Sequence, residues 1–256
     1  MRDNRKDLQY WEKVISLTEK LRNQTIEKLE QGLISCDRIN DVKRYLVDSY
    51  LRSITEKYSA GYPIQELNSD DIIKAIDLTH ESWDGVWKLK DRKGNELNQY
   101  ILSAYDEMLW MLSLGYLLDI PNDNFQKLVD VIDRDQVKDF LFEFIIRAKI
   151  KNRKPIVEES YQKYFWIPHI FDSLRKAIVE TDKTNAELLV KQFVRKEWYN
   201  KHKSQGWYNS HNNPHDTYFG YWSFETTAVV KIMGLDDRSF KDCQYYPKDL
   251  VMVFDS

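Results

Sequence analysis

Glycine and proline are scarce in this chain, eight and six in 256 residues, and most fall between stretches that repeat apolar residues every three or four positions. A chain with so few places to turn is limited to helices joined by short breaks. Leu8, Trp11, Ile15, Leu21, Thr25 and Leu29 predict a first helix over 7–31, stopped by Gly32. Val42, Tyr45, Leu46, Tyr50 and Ile54 predict a second over 39–59, ended by Gly61 and Pro63. A third starts after Asn68 or Ser69, either a good N-cap, with Asp70 and Asp71 suited to its first turn. After the loop DRKGN (91–95) comes an apolar helix over 97–118; Pro121 ends it and Asp123 caps the next. The basic stretch KIKNRKP (149–155) breaks the pattern. Helices are then expected over 157–164, 170–181, 185–202 and 218–233, with 204–215 an ordered loop. Only 250–254 alternates like a strand. The expected fold is all-α, a two-part multi-helix array. Its N-terminal helical domain spans 1–120 and a larger C-terminal one spans 121–256, with the boundary anywhere between 120 and 155.

Composition narrows the class. Hydrophobic residues at 42% and aromatics at 14% supply a real core and exclude disorder. The net charge of −3 argues against generic binding to nucleic acid or anionic membrane. The longest apolar run without a charge, 108–118, has eleven residues, whereas a span needs about 20. The opening MRDNRKDLQYWEK has no apolar signal-peptide core. Cys36 and Cys243 lie far apart and outside any CxxC pattern, so neither a disulfide framework nor a zinc knuckle is expected. The expectation is a soluble cytoplasmic protein.

Charge is uneven along the chain. Residues 1–150 hold 22 basic against 27 acidic side chains, and 151–256 hold 16 against 14. The acid excess gathers in Asp119, Asp123, Asp130, Asp133, Asp135, Asp139 and Glu143. Asp135, Asp139 and Glu143 are four apart, so they line one helix face. Such a run is either a solvated face or a docking surface.

Signs of catalysis are thin. Over 216–237 a helix would align Tyr218, Tyr221, Trp222, Glu225, Val229 and Met233, with Glu225 the one carboxylate among them. Glu225 is then a structural anchor for hydroxyl, indole or main-chain donors, or a general acid or base of raised pKa. No second carboxylate or nucleophile stands at a useful spacing, which favours the anchor. Gly220 lets a neighbour approach closely. His211 and His215 have the spacing of a metal pair, but Asn212, Asn213 and Pro214 between them break the helix that would align both rings. No metal or cofactor is expected. Arg195 and His202 match the spacing in HEPN-type helical ribonucleases, yet Lys196 stands where those enzymes carry a small polar residue. Phosphate loops, a GxSxG elbow and a Cys/His pair are missing from the sequence. Pattern alone stops at a helical binding protein.

Two groups of motifs go further. MRDNRKD-x-x-YW-E with KYSAGYPIQEL (57–67) resembles the N-terminal domain of PoNi-type immunity proteins. FVRKEWY (193–199), GWYNSH (206–211), YFGYWSFETTAV (218–229) and LDDRSFKDCQYYPKDLV (235–251) resemble the C-terminal domain of that family. The motif residues Trp198, Trp207, Tyr218, Gly220, Tyr221, Trp222, Glu225, Tyr246 and Pro247 are expected to be structural. The resemblance implies an all-helical, non-catalytic immunity protein of a bacterial cytoplasm. It would bind and neutralise a cognate polymorphic DNase toxin of the restriction-endonuclease-like kind, delivered between neighbouring cells. The nuclease groove is cationic, so candidate toxin-binding residues are Asp130, Asp133, Asp135, Asp139 and Glu143. A second set is Asp236 and Asp237, with Asp242 and Asp249 nearby; Asp236 and Asp237 are alternatively N-caps of a short helix containing Phe240. The competing expectation is a helical metal-dependent hydrolase or HEPN-like RNase.

Overall fold

The computed structural model describes residues 1–67, 69–84, 87–156 and 168–251. Helices dominate, and the one sheet among the described residues is a two-stranded hairpin, so the fold is all-α as expected. The chain forms two compact units. The first is Met1–Asp84 with Asn209–Tyr221, the second Gly85–Tyr208 with Trp222–Ser256.

In the first unit α1 (Leu8–Glu30), α2 (Ile39–Ala60) and α3 (Ser69–Ser82) pack in sequence order. Asp7 caps α1, its carboxylate accepting from the Tyr10 amide. The buried stripe of α1 is Trp11, Val14, Ile15 and Arg22, whereas Leu8 and Leu21, expected inside, lie largely exposed. Arg22 takes the core position because its guanidinium covers the Tyr50 ring at 4.5 Å. On α2, Leu46, Tyr50, Ile54 and Tyr58 line the core at four-residue steps, while Tyr45 faces solvent. Gly61 ends α2 at φ +97°, where a Cβ would sit 2.5 Å from the Met1 nitrogen. That close approach lets the N-terminus strap the helix. The Arg2 and Asp3 amides donate to Ser59 O, and the Arg2 guanidinium donates to Tyr58 O and Tyr62 O.

The second unit is built round α4 (Leu102–Leu117), which is buried on nearly all sides, as a helix apolar all round from Met108 onward must be. It packs on α6 (Phe140–Lys149) and α10 (Phe224–Met233), with α5 (Asn122–Arg134), α7 (Pro168–Val179) and α8 (Lys183–Gln192) completing the layer. The expected helix start at 97 is instead a strand. β1 (Lys88–Lys90) pairs antiparallel with β2 (Glu96–Tyr100), because Asp91 accepts from the Lys93 and Asn95 amides and closes a turn. Asn122 starts α5 and Asp123 lies in its first turn rather than capping it. The expected helix over 185–202 is α8, a π-helical turn Phe193–Glu197 and α9 (Trp198–Lys201). The expected helix over 218–233 begins only at Phe224. The expected helix over 157–164 and the end of the expected strand, 252–254, lie outside the described residues; Leu250 itself closes a 3₁₀ turn.

Candidate functional site

The acidic stretch does not form one face. Helix α5 stops at Arg134, Gln136 adopts φ +56°, and α6 starts only at Phe140. Asp135, Asp139 and Glu143 are therefore separated by a turn, and they are 6%, 1% and 5% exposed. Each is used inside the fold. Asp135 accepts from Tyr100 Oη at 2.8 Å. Asp139 caps α6 by accepting the Leu141 and Phe142 amides, takes a third bond from Tyr105 Oη, and is ion-paired with buried Arg175. Glu143 shares Arg153 with Asp133 through bonds of 2.7–2.8 Å. The two acids and their hydrogen bonds hold the Arg153 guanidinium above its ordinary pKa, against the opposing effect of burial. Helical spacing misled here because it presumes an unbroken helix. What stays on the surface is the outer side of α5, where Asp123, Asp130 and Asp133 are exposed and Gln126 donates to Asp130 at 2.9 Å.

Asp236 and Asp237 form a turn, not the start of a helix. The Asp236 carboxylate accepts the Arg238 amide and its guanidinium, which holds that carboxyl down at about 2. Asp237 O accepts the Phe240 and Lys241 amides, and its carboxylate accepts from Tyr246 Oη. Local side-chain bonding of this kind satisfies the backbone before a helix can nucleate.

Glu225, 1% exposed, sits at the start of α10 in the core of the second unit. It accepts from Ser223 Oγ at 2.7 Å, and its Oε2 has no hydrogen-bond partner among the described residues. The crowd of donors expected round it is absent there. Burial is the dominant cause, and the carboxyl is pushed up to about 7. Two further buried titratable groups belong to the same region. Asp106 on α4 faces His202 Nε2 at 3.5 Å, an ion-pair separation longer than an ordinary hydrogen bond. His202 Nδ1 bonds Trp198 O. Burial pushes Asp106 up, and burial would lower His202, but Asp106 outweighs it and raises His202. The sequence signal for Asp106 was a pair of adjacent carboxylates, Asp106 and Glu107, at the start of a largely apolar helix. Its partner lies almost a hundred residues away, beyond any local pattern.

The other chemical constellations are not assembled. His202 is buried against Trp198 and Trp207, whereas Arg195 is exposed. His211 meets Tyr221 Oη through Nδ1 at 3.0 Å, whereas His215 is exposed. Among the described residues no three His, Cys, Asp or Glu side chains gather as a metal would require.

The remaining motif residues pack. In the first unit Tyr218 donates to Asp3 and stands edge-on to Tyr221 at 4.7 Å, while Arg5 bonds both Asp3 and Tyr218 Oη. Gly220 takes φ +107°, a backbone conformation closed to most side chains. In the second unit Trp198 stacks on Trp207 at 5.4 Å, Trp222 is buried, Tyr246 reaches Asp237, and Pro247 O accepts the Leu250 amide. Tyr218, Tyr221 and Trp222 do not share a helical stripe with Glu225, because residues 218–223 precede the helix.

These features define a helical scaffold in which the motif residues are packed or hydrogen-bonded within the fold. The family model of the PoNe immunity protein (PoNi), N-terminal, matches residues 2–130, and that of the PoNe immunity proteins (PoNi), C-terminal, matches 137–250. The chain belongs to the PoNi immunity protein family, and its role is one of immunity. Neither a curated protein nor a solved structure matches it. No helix among the described residues is long and apolar enough to cross a membrane.

Proposed function

We propose that this chain binds a DNase-type PoNe toxin and covers its cationic nucleic-acid groove, performing no chemistry of its own. The observation that carries the reading is family membership across both halves, residues 2–130 and 137–250. The exposed side of α5, with Asp123, Asp130 and Asp133, supplies charge opposite to that of a groove built to hold DNA. Asp236 and Asp237 are a secondary contact, since one is exposed and the other half-buried. Asp135, Asp139 and Glu143 support that surface from within. The reading implies action in the cytoplasm, where the DNA to be protected lies.

The test is co-expression with the toxin, together with binding kinetics to a catalytically inactivated toxin. Asp123→Lys combined with Asp130→Lys is expected to leave the fold intact and slow association at least tenfold at low salt. Wild-type association should slow as salt rises, since attraction is screened beyond about 8 Å at physiological ionic strength. Unchanged kinetics in the double variant would remove α5 from the interface. A wild type that neither binds nor protects would overturn the reading itself.

A further inference from the structure

Within the second unit lies a cavity of about 450 Å³ whose lining includes Arg195, Arg238, Phe240, Asp242, Cys243 and Tyr245. Its walls are partly aromatic. Phe240 is buried and stands edge-on to Tyr246 at 5.2 Å. Tyr245 is half-buried and begins a stack, lying on Tyr199 at 4.9 Å, which lies on Tyr208 at 4.5 Å. Arg195 comes from the π-helical turn Phe193–Glu197, a wider turn than α and one that recurs at functional sites. Among the described residues the Arg195 side chain makes neither a hydrogen bond nor an ion pair, although it is close enough to act on the Cys243 thiol. Of the cations beside it, Arg238 is held by Asp236, while Lys191 acts on the same thiol.

We propose that this cavity receives a single carboxylate side chain, Asp or Glu, of the toxin. A guanidinium presents its donors in a planar fork that matches a carboxylate, and aromatic walls strengthen the pairing by excluding water. Tyr, Trp and Arg dominate the energetic centres of protein interfaces, and the half-exposed Tyr stack beside Arg195 has that composition. Asp242 lines the cavity and is bonded by Lys248, and Asp236 is bonded by the lining residue Arg238. The two acids repel a nucleic-acid backbone, whose negative charges follow one another every few ångströms, but tolerate one isolated carboxylate. The proposal rests on the reading that the partner is a toxin protein. It adds a contact of opposite sign to α5, so that the two surfaces together fix orientation.

Two measurements on the full chain test it. The first needs no toxin and follows the Arg195 Nε–H resonance during titration with N-acetyl-aspartyl-methylamide, which carries one side-chain carboxylate. A saturable shift is expected, mirrored at the Tyr245 amide and lost in Arg195→Gln. A single-stranded DNA dodecamer should shift it less than the peptide. No shift with the peptide, or a larger one with DNA, overturns the proposal. The second compares binding to the inactivated PoNe toxin. Arg195→Gln should raise the dissociation constant about thirtyfold, the lower range for truncating a central interface charge, with Arg195→Lys between. Wild-type binding by Arg195→Gln overturns the pocket and leaves the α5 surface standing. A wild type that ignores the toxin overturns both.

Discussion

Glu225→Gln is the substitution whose outcome the structure constrains most closely, through its dependence on pH. The folded protein holds this carboxyl at about 7 instead of its ordinary 4.5. The folded chain therefore binds that proton more tightly than the unfolded chain does. At about 1.4 kcal/mol per tenfold of affinity, the difference is roughly 3 kcal/mol for a fully buried group. Because the folded value is the higher one, this stability is complete below about pH 4.5 and is lost as pH rises towards 7. Gln keeps the shape, still accepts from Ser223 Oγ, and does not titrate. Near pH 4.5 the two proteins should melt within a degree or two of each other. At pH 8 the Gln variant should be the more stable, by up to roughly 3 kcal/mol, or about 6–12 °C in a chain of this size. His202 and Asp106 titrate in both proteins, and what the variant loses is their charge interaction with Glu225, in which His202 lowers and Asp106 raises its pKa. Thermal melts at half-unit steps from pH 4.5 to 8 decide it. Parallel curves, or a Gln variant that loses ground as pH rises, would refute burial as the force acting on Glu225.

Two further outcomes follow from the hydrogen-bond networks. Asp139→Ala removes the cap of α6 and the buried ion pair with Arg175, so stability should fall by about 3–5 kcal/mol; a loss under 1 kcal/mol in urea unfolding would show that the network relaxes freely. Tyr218→Phe deletes the hydroxyl that donates to Asp3 and accepts from Arg5. It should cost about 1–3 kcal/mol, and hydrogen exchange at the Arg2 and Asp3 amides should quicken, whereas unchanged protection would separate the N-terminal strap from Tyr218.

Much of this fold was legible because helices announce themselves locally. The ends of α1 and α2 follow from Asp7 and Gly61, whose capping roles depend on residue type alone. Long-range partners were not legible. Arg22 displaced Leu21 from the core because Tyr50, on another helix, offered its ring. The acidic line over 135–143 was a correct count of charges on an incorrect backbone, since Tyr100, Arg153 and Arg175 claim those carboxylates from distant positions. Motif resemblance carried the family, because Tyr218, Gly220 and Trp222 meet packing and backbone demands that few alternatives satisfy.

The return of the chain to the first unit at residues 209–221 bears on where two relatives could be joined into one chain. The family's two segments meet between residues 130 and 137, an inviting place to join halves of different relatives. The first compact unit nevertheless takes Asn209–Tyr221 from the later segment. A chimera joined at that seam would set one parent's Tyr218 against the other's Asp3, Arg5 and Tyr10, all of which bond it. A join that keeps these bonds must therefore move residues 1–10 and 209–221 as a matched pair.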